Sequence, residues 1–418
     1  MLRLKTRDWA LTALTASAFC MGFSMPMGRL FMAVALAGLV VDVVRGRRKL
    51  RMPASAWLWL ALVALAVVVT VNGLNPQKGV GKLNKLMWFM GIPVAASLVD
   101  SRERLRRVLR ALLYGFGVLA VRVCIRNPLG AQAIVKRFEG TPVEARFTFG
   151  QELIHQGSLV DGQRLMVGLI GAIALTLGGC ALARLGTRRL TVAVHGDRVN
   201  GDGAADRGSA AGTLPVWPLL IGLLALAEIL VMKRGSWLSA CLLLVVLLAR
   251  RVKFKWLLLG GCVLAGLAVS VTPIRQRLAH LSVECSTASG GRLAMWTKVA
   301  PRLLREHPWG IGFRAMTNER MRAIAPGIER NRDHLHSNFV EIAVSFGWAG
   351  LGLYLVWMAL LFRDGWGSDS APAPVFWMLL AIFINGFVEY NFADAESVIL
   401  IGLLGGLAAA GRRLPLFS

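Results

Sequence analysis

Two histidines stand two residues apart in the run His-Leu-His-Ser-Asn-Phe-Val-Glu at 334–341, at the opening of an apolar stretch. A histidine at a helix start is ordinarily a cap or a packing group. A second use is open to it here. A helix N-terminus and nearby arginines both disfavour the imidazolium, and a neutral imidazole is what a general base needs near pH 7. His336 is preferred to His334 because it lies closer to the membrane edge. A metal site lacks supporting ligands, since Asp333 alone is near and no His-rich or Cys-rich segment exists to complete a set. Among the other histidines, His155 is an external residue able to touch a ligand, and His195, His280 and His307 have weaker claims.

Lys233, Arg234, Gly235 and Ser236 separate two strongly apolar stretches by so tight a turn that Arg234 stays at the membrane edge. A charge held beside hydrocarbon is costly and is a functional candidate by default; a snorkelling anchor is the ordinary alternative. Residues 273–335 carry 11 Lys and Arg against 5 Asp and Glu. Guanidinium forks match phosphate oxygens, so a subset is expected to bind phosphate, the rest facing lipid headgroups. Arg146, Gln151, His155 and Gln156 form a smaller polar patch, with Arg137 upstream. Lys78, Lys82 and Lys85 form another basic cluster, suited to headgroups or to an anionic lipid acceptor. Asp394 and Glu396 follow Glu389 and resemble a metal-binding pair, but residues two apart do not share a helix face. A cap or a polar bundle contact is their ordinary role, and they are the runner-up for a catalytic base or a metal site.

The elements that position these residues are apolar helices. Of 418 residues, 56% are hydrophobic and 17% charged, against about a quarter charged in soluble proteins. Twelve candidate transmembrane helices are expected, at 9–25, 27–44, 57–72, 83–99, 109–126, 165–183, 215–232, 236–250, 256–272, 337–362, 374–388 and 395–411, several of them short. The fold class expected is an all-α polytopic membrane protein. Basic clusters at Arg45–Arg51, Arg102–Arg107, Arg184–Arg189, Arg250–Lys255 and Arg412–Arg413 all fall on one side if twelve spans alternate, which makes both termini cytoplasmic. The apolar N-terminal run is read as an uncleaved first helix. The net charge of +25 sits between apolar spans, which points to anionic lipids and phosphorylated substrates rather than nucleic acid. Six cysteines without a CxxC pair indicate neither a disulfide framework nor a zinc site.

The expected organisation is helices 1–9 over 1–272, a large external loop over 273–335, and helices 10–12 over 336–418. Within the first part lie an external loop at about 127–164 and a cytoplasmic linker at about 184–214, rich in Gly, Ala and Asp. Short helices are expected near 291–306 and 315–325 inside the large loop.

Three segments resemble the O-antigen ligase and O-antigen polymerase superfamily. They are Lys-Arg-Gly-Ser-Trp-Leu-Ser-Ala at 233–240, Gly-Arg-Leu-Ala-Met-Trp at 291–296 running on to His-Pro-Trp-Gly-Ile-Gly-Phe at 307–313, and the histidine run at 334–341 followed by Phe-Gly-Trp-Ala-Gly-Leu at 346–351. The likeness covers roughly 215–362; the N-terminal half matches in hydropathy alone. The resemblance implies a helical bundle of the membrane glycosyltransferase (GT-C-like) type in a Gram-negative inner membrane, with its site facing the periplasm. It implies a donor glycan on undecaprenyl diphosphate and an acceptor hydroxyl on lipid A–core oligosaccharide. It assigns Arg234, Arg292 and His336 as catalytic, and Arg234, Arg292, Arg314 and Arg146 to the donor diphosphate. His334, Lys233 and Asp394 are possible accessories, and no metal or other cofactor is expected. The ligase reading rests on the twelve-span count and on a basic face suited to a phosphorylated core. An O-antigen polymerase would use nearly the same residues. A transporter or flippase is the rival from another class, although no half-to-half repeat is evident, and a scaffolding protein would leave Arg234 and His336 unexplained.

Overall fold

The computed structural model describes residues 8–137, 159–177, 216–231, 233–249, single residues and short stretches between 253 and 270, 291–326, 334–366, 373–392 and 394–414. Regular structure among them is helical throughout. The order is α1 (Trp9–Met21), α2 (Met25–Val44), α3 (Ala54–Val71), α4 (Pro76–Leu83), a 3₁₀ stretch (Asn84–Met90), α5 (Gly91–Leu98), α6 (Arg102–Arg137), α7 (Leu159–Leu177), α8 (Val216–Val231) and α9 (Arg234–Ala249). After the sparsely described region comes α10, built of Arg292–Ala294, a π turn (Met295–Val299) and Ala300–Glu306. Then follow α11 (Asn318–Ile324), α12 (Asn338–Trp366), α13 (Pro374–Asn385) and α14 (Ala395–Arg413).

Among the described residues, five stretches are long and apolar enough to cross a membrane: Met25–Val44, Ala54–Val71, Arg102–Leu129, Asn338–Trp366 and Ala395–Arg413. α1, α8, α9 and α13 are shorter and apolar. This is the build of a helical membrane protein. Small residues let the helices close up. A Cβ on Gly22 would lie 2.0 Å from the Gly115 carbonyl carbon, so α1 and α6 touch backbone to backbone. The buried centre is aromatic: the Phe89 ring meets Trp357 edge-on at 4.8 Å and Phe392 at 5.3 Å, and the Trp357 indole N–H donates to the Ser55 carbonyl.

Three elements differ from expectation. The external segment expected at 127–164 is shortened from both sides, because α6 runs on to Arg137 and α7 begins at Leu159. In place of the one helix expected at 83–99 stand α4, the 3₁₀ stretch and α5, starting at Pro76, where the Asn75 side chain accepts from the Lys78 N–H at 3.3 Å. Lys78, Lys82 and Lys85 therefore ride on helical turns. The third difference is the span expected at 337–362. α12 breaks at Gly347, whose φ is +70° and ψ is −172°. Phe339 and Tyr354 are 15 residues apart and would stand about 22 Å apart along a straight helix, yet their ring centroids are 5.8 Å apart. Residues 338–346 thus fold back against 348–366. The expected ninth span at 256–272 and the linker at 184–214 lie largely or wholly outside the described residues. The short helices expected near 291–306 and 315–325 are α10 and α11.

Candidate functional site

The fold-back of 338–346 is clasped by the glycine-rich segment that precedes Arg314. The Ile311 and Gly312 N–H groups donate to the carbonyls of Val344 and Ser345 at 2.9 and 3.0 Å, the Trp348 N–H donates to the Pro308 carbonyl, and the Leu74 N–H donates to the Ile311 carbonyl. Backbone groups freed where the helix breaks are so satisfied by a neighbouring chain, as burial demands. Glycine is required at both sides of the clasp. Gly310 and Gly347 have positive φ, and a Cβ on either would lie 2.3–2.7 Å from backbone atoms of the other strand. The Phe313 N–H donates to Thr70 Oγ1 at 3.0 Å, which pins the segment to α3. Arg314 follows immediately.

The histidine run is held just as tightly. Glu341 Oε2 accepts the Leu335 N–H at 2.7 Å, and the Trp296 indole N–H donates to the Leu335 carbonyl at 2.7 Å. The peptide groups between His334 and His336 are therefore fixed from the first turn of α12 and from the π turn of α10. The two imidazoles lie 4.1 Å apart. Among the described residues, Arg314 and His336 are the non-glycine residues at positive φ, each at +53°. That conformation costs an L-residue about 1–2 kcal/mol and persists where surroundings impose it, often at functional sites.

Both groups face one connection, 386–394, between α13 and α14. Asn338 fastens it: its N–H donates to the Gly386 carbonyl at 2.7 Å, and its Oδ1 accepts from the N–H groups of Asn391 and Phe392 at 2.7 and 3.1 Å. Arg292 donates to the Val388 carbonyl and, at 3.1 Å, to Glu389 Oε1. Gly235 packs on the same residue, where a Cβ would sit 3.1 Å from Glu389 Oε1, so Arg234 opens α9 beside the Arg292–Glu389 pair. Arg234 is a cation at a helix N-terminus, the less favourable end for positive charge. Tyr390 lies 6.0 Å from the His334 ring, and the Arg314 guanidinium stands 5.3 Å from the Tyr390 ring centroid. Arg314 also pairs with Asp394 at 3.3 Å. Burial pushes the Asp394 carboxyl above its ordinary range, against the opposing pull of Arg314, Lys85 and His334.

The structure thus brings together Arg234, Arg292, Arg314, His334, His336 and Asp394. Lys233 is next door, its carbonyl accepting the Trp237 N–H and its Cβ lying near Gly162 of α7. Arg146, with Gln151, His155 and Gln156, lies outside the described residues. Sequence reasoning missed the organising role of Glu389 and Tyr390, although Glu389-Tyr390-Asn391 is a polar interruption between two apolar stretches just as 233–236 is. It also missed Arg164, which lies buried between Asp161 at 3.6 Å and Glu396 at 3.9 Å, with Asp161 bridging on to Arg126 at 3.3 Å.

Residues 219–355 match the family model described as O-antigen ligase. This supports an O-antigen ligase/polymerase family assignment. Members of that family are glycosyltransferase-like enzymes of ligase or polymerase type. No curated protein matches the chain. The O-antigen ligase match spans Arg234, the clasp, Arg314 and the histidine run; the connection 386–394 that gathers them lies beyond it. Among the described residues, no cluster of three or more His, Cys, Asp or Glu side chains has the arrangement of a metal site.

Proposed function

We propose that this protein is an O-antigen ligase, transferring a glycan from undecaprenyl diphosphate to a sugar hydroxyl of lipid A–core oligosaccharide, without metal and with inversion. The observation that carries the reading is the convergence of Arg234, Arg292, Arg314 and the His334–His336 pair on 386–394. The setting we infer is a twelve-span, GT-C-like protein of a Gram-negative inner membrane, both termini cytoplasmic, its site facing the periplasm in and beside the 273–335 loop.

In this mechanism the arginines bind the donor diphosphate. Glu389 and Asp394 hold Arg292 and Arg314 extended before the donor arrives, and the diphosphate then takes up their charge, with Arg234 and Arg146 assisting. The acceptor oxygen forms a bond to the anomeric carbon as the bond from that carbon to the diphosphate oxygen breaks. The acceptor proton passes to the His336 imidazole, and polyprenyl diphosphate leaves with its charge stabilised by the guanidinium groups. General-base assistance is worth about 10²–10⁴-fold.

Purified protein in EDTA, given undecaprenyl-diphosphate glycan and lipid A–core, is expected to produce larger lipopolysaccharide. A folded His336→Ala variant is expected to lose about 10²–10⁴-fold of that rate. The family match equally favours an O-antigen polymerase, and longer glycans on the lipid carrier with none on core would establish that reading instead. Movement of the lipid-linked glycan without covalent transfer would sink both and leave a transporter.

A further inference from the structure

A cavity of about 270 Å³ borders Asp394, the carboxylate paired with Arg314, and is lined by Arg29, Asn84, Lys85, Trp88, Asp394 and Glu396. Its cations belong to α2 and to the 3₁₀ stretch before α5, neither of which carries any residue of the site described above. Among the described residues, neither Arg29 nor Lys85 has an ion-pair partner. The Arg29 guanidinium stands 5.9 Å from the Trp88 ring, which orients it, and its buried Nε makes no hydrogen bond among those residues. Arg314, Lys82 and Arg29 repel the Lys85 ammonium while Asp394 attracts it. Behind Glu396 lies Arg164, 6% exposed, its Nε also without a hydrogen bond among the described residues. Buried cations in surplus are costly unless an anion joins them.

From this geometry we infer that the cavity is a second anion site, which takes the phosphate of a phosphorylated, lipid-anchored saccharide while the donor occupies the arginines around Glu389. Arg29 and Lys85 hold the phosphate oxygens. The carboxylates of Asp394 and Glu396 and the Asn84 amide accept and donate to sugar hydroxyls, which distinguishes this ligand from a bare phospholipid. The cavity is of the right order for one phosphorylated sugar ring, and its open side lets the acyl chains remain in lipid. Asp394 is the wall shared with Arg314, so the bound saccharide reaches toward the histidines. The inference rests on the ligase reading for the identity of the ligand as acceptor, but its test is binding and needs no turnover.

The test is native mass spectrometry of the purified full chain in detergent. The probes are diphosphorylated lipid A, the same lipid after dephosphorylation, phosphatidylglycerol, inorganic phosphate and undecaprenyl diphosphate. The R29Q/K85Q double variant is expected to bind diphosphorylated lipid A about tenfold to a hundredfold more weakly and undecaprenyl diphosphate within about twofold of the parent. R292Q is expected to show the reverse pattern, and R29K/K85R to keep most of the lipid A binding, which excludes misfolding as the cause. Loss of undecaprenyl diphosphate binding in R29Q/K85Q would overturn the inference and assign the cavity to the donor. Equal binding of dephosphorylated lipid A or of phosphatidylglycerol would overturn it as well, and so would displacement of lipid A by millimolar inorganic phosphate. Absence of glycan transfer alongside the expected binding pattern would count against the ligase reading alone.

Discussion

The two ends of the helical bundle use the same residue types to different ends. At one end Asp364 is 4% exposed and is met by Arg363 at 3.0 Å and Arg412 at 2.8 Å, while Arg48 bridges Asp8 and Asp42. Arg413 and Arg48 close the same end by donating to the carbonyls of Ala96 and Leu98. Asp364 is buried while its two arginines are half-exposed, the arrangement of charge pairs that fasten helix ends. At the other end the arginines themselves are withdrawn from water, Arg292 to 20% and Arg314 to 15% exposure, two non-glycine residues hold positive φ, and a cavity adjoins. Fastening needs no strain and no cavity. The two strained non-glycine residues, both at this end among the described residues, mark it as the place where a ligand is received.

The sharpest way to break the comparison is to remove one arginine at each end. Arg292→Ala is expected to lower transfer by about 10²–10³-fold, the loss typical of one donor to a developing negative charge. Arg292→Lys should recover little, because an ammonium cannot reproduce the fork that spans the Val388 carbonyl and Glu389. Arg412→Ala, at the other end, is expected to leave transfer per folded molecule within about twofold, since Arg412 touches no residue of the candidate site and Arg363 still meets the buried Asp364. Initial rates on protein normalised by size-exclusion recovery decide it. Equal losses at both ends would remove the functional distinction between them.

A second contrast concerns backbone. Gly347→Val forces a Cβ to within 2.3 Å of the Pro308 carbonyl oxygen at φ +70°, where a β-branched residue is a severe outlier. About 3 kcal/mol or more of destabilisation is expected, read as a fall in thermal midpoint or as failure to insert and fold. The same substitution at Gly352, five residues on in the continuous part of α12, has no atom within 4 Å of its added Cβ and should be tolerated. If both variants behave alike, the break at Gly347 has no structural weight.

This bears on what the sequence could reveal. Arg234, Arg292 and His336 were legible because a charge or an imidazole beside an apolar run has few ordinary uses, and because their spacing resembles a known family. The break in α12 was not, since 337–362 reads as one apolar run and a single glycine carries the reversal. Glu389 and Tyr390 were missed for a related reason: their importance comes from Asn338, far back in the sequence, gripping the neighbouring Asn391 and Phe392 of the connection that bears them. Periodicity sees helices, and tertiary hydrogen bonds between helix ends leave no periodic trace.

A smaller effect probes how the histidine run is held. Trp296→Phe removes the indole donor to the Leu335 carbonyl while keeping the ring. About 1 kcal/mol of stability should be lost, with transfer falling about tenfold as His336 gains freedom. Glu341→Ala, which strands the Leu335 N–H, should cost more, about 1–3 kcal/mol. Parallel loss of stability and rate in both variants supports a positioning role; loss of stability alone would detach the histidine loop from the chemistry.

The smallest effect is one of pH, and it too separates the two ends. Asp394 has its carboxyl raised in the folded protein, chiefly by burial. The fold therefore binds a proton that the unfolded chain has released, at every pH between the ordinary value of 3.8 and the raised one. Stability falls with rising pH wherever the native state holds more protons, so this contribution is fully present below the ordinary value and is lost as pH climbs through the raised one. Thermal unfolding of the parent and of Asp394→Asn, followed upward from pH 4, should diverge across that window, with the variant showing the flatter profile. Parallel profiles would mean that Arg314 neutralises Asp394 completely, and the cavity wall would then carry no charge of its own to offer a saccharide.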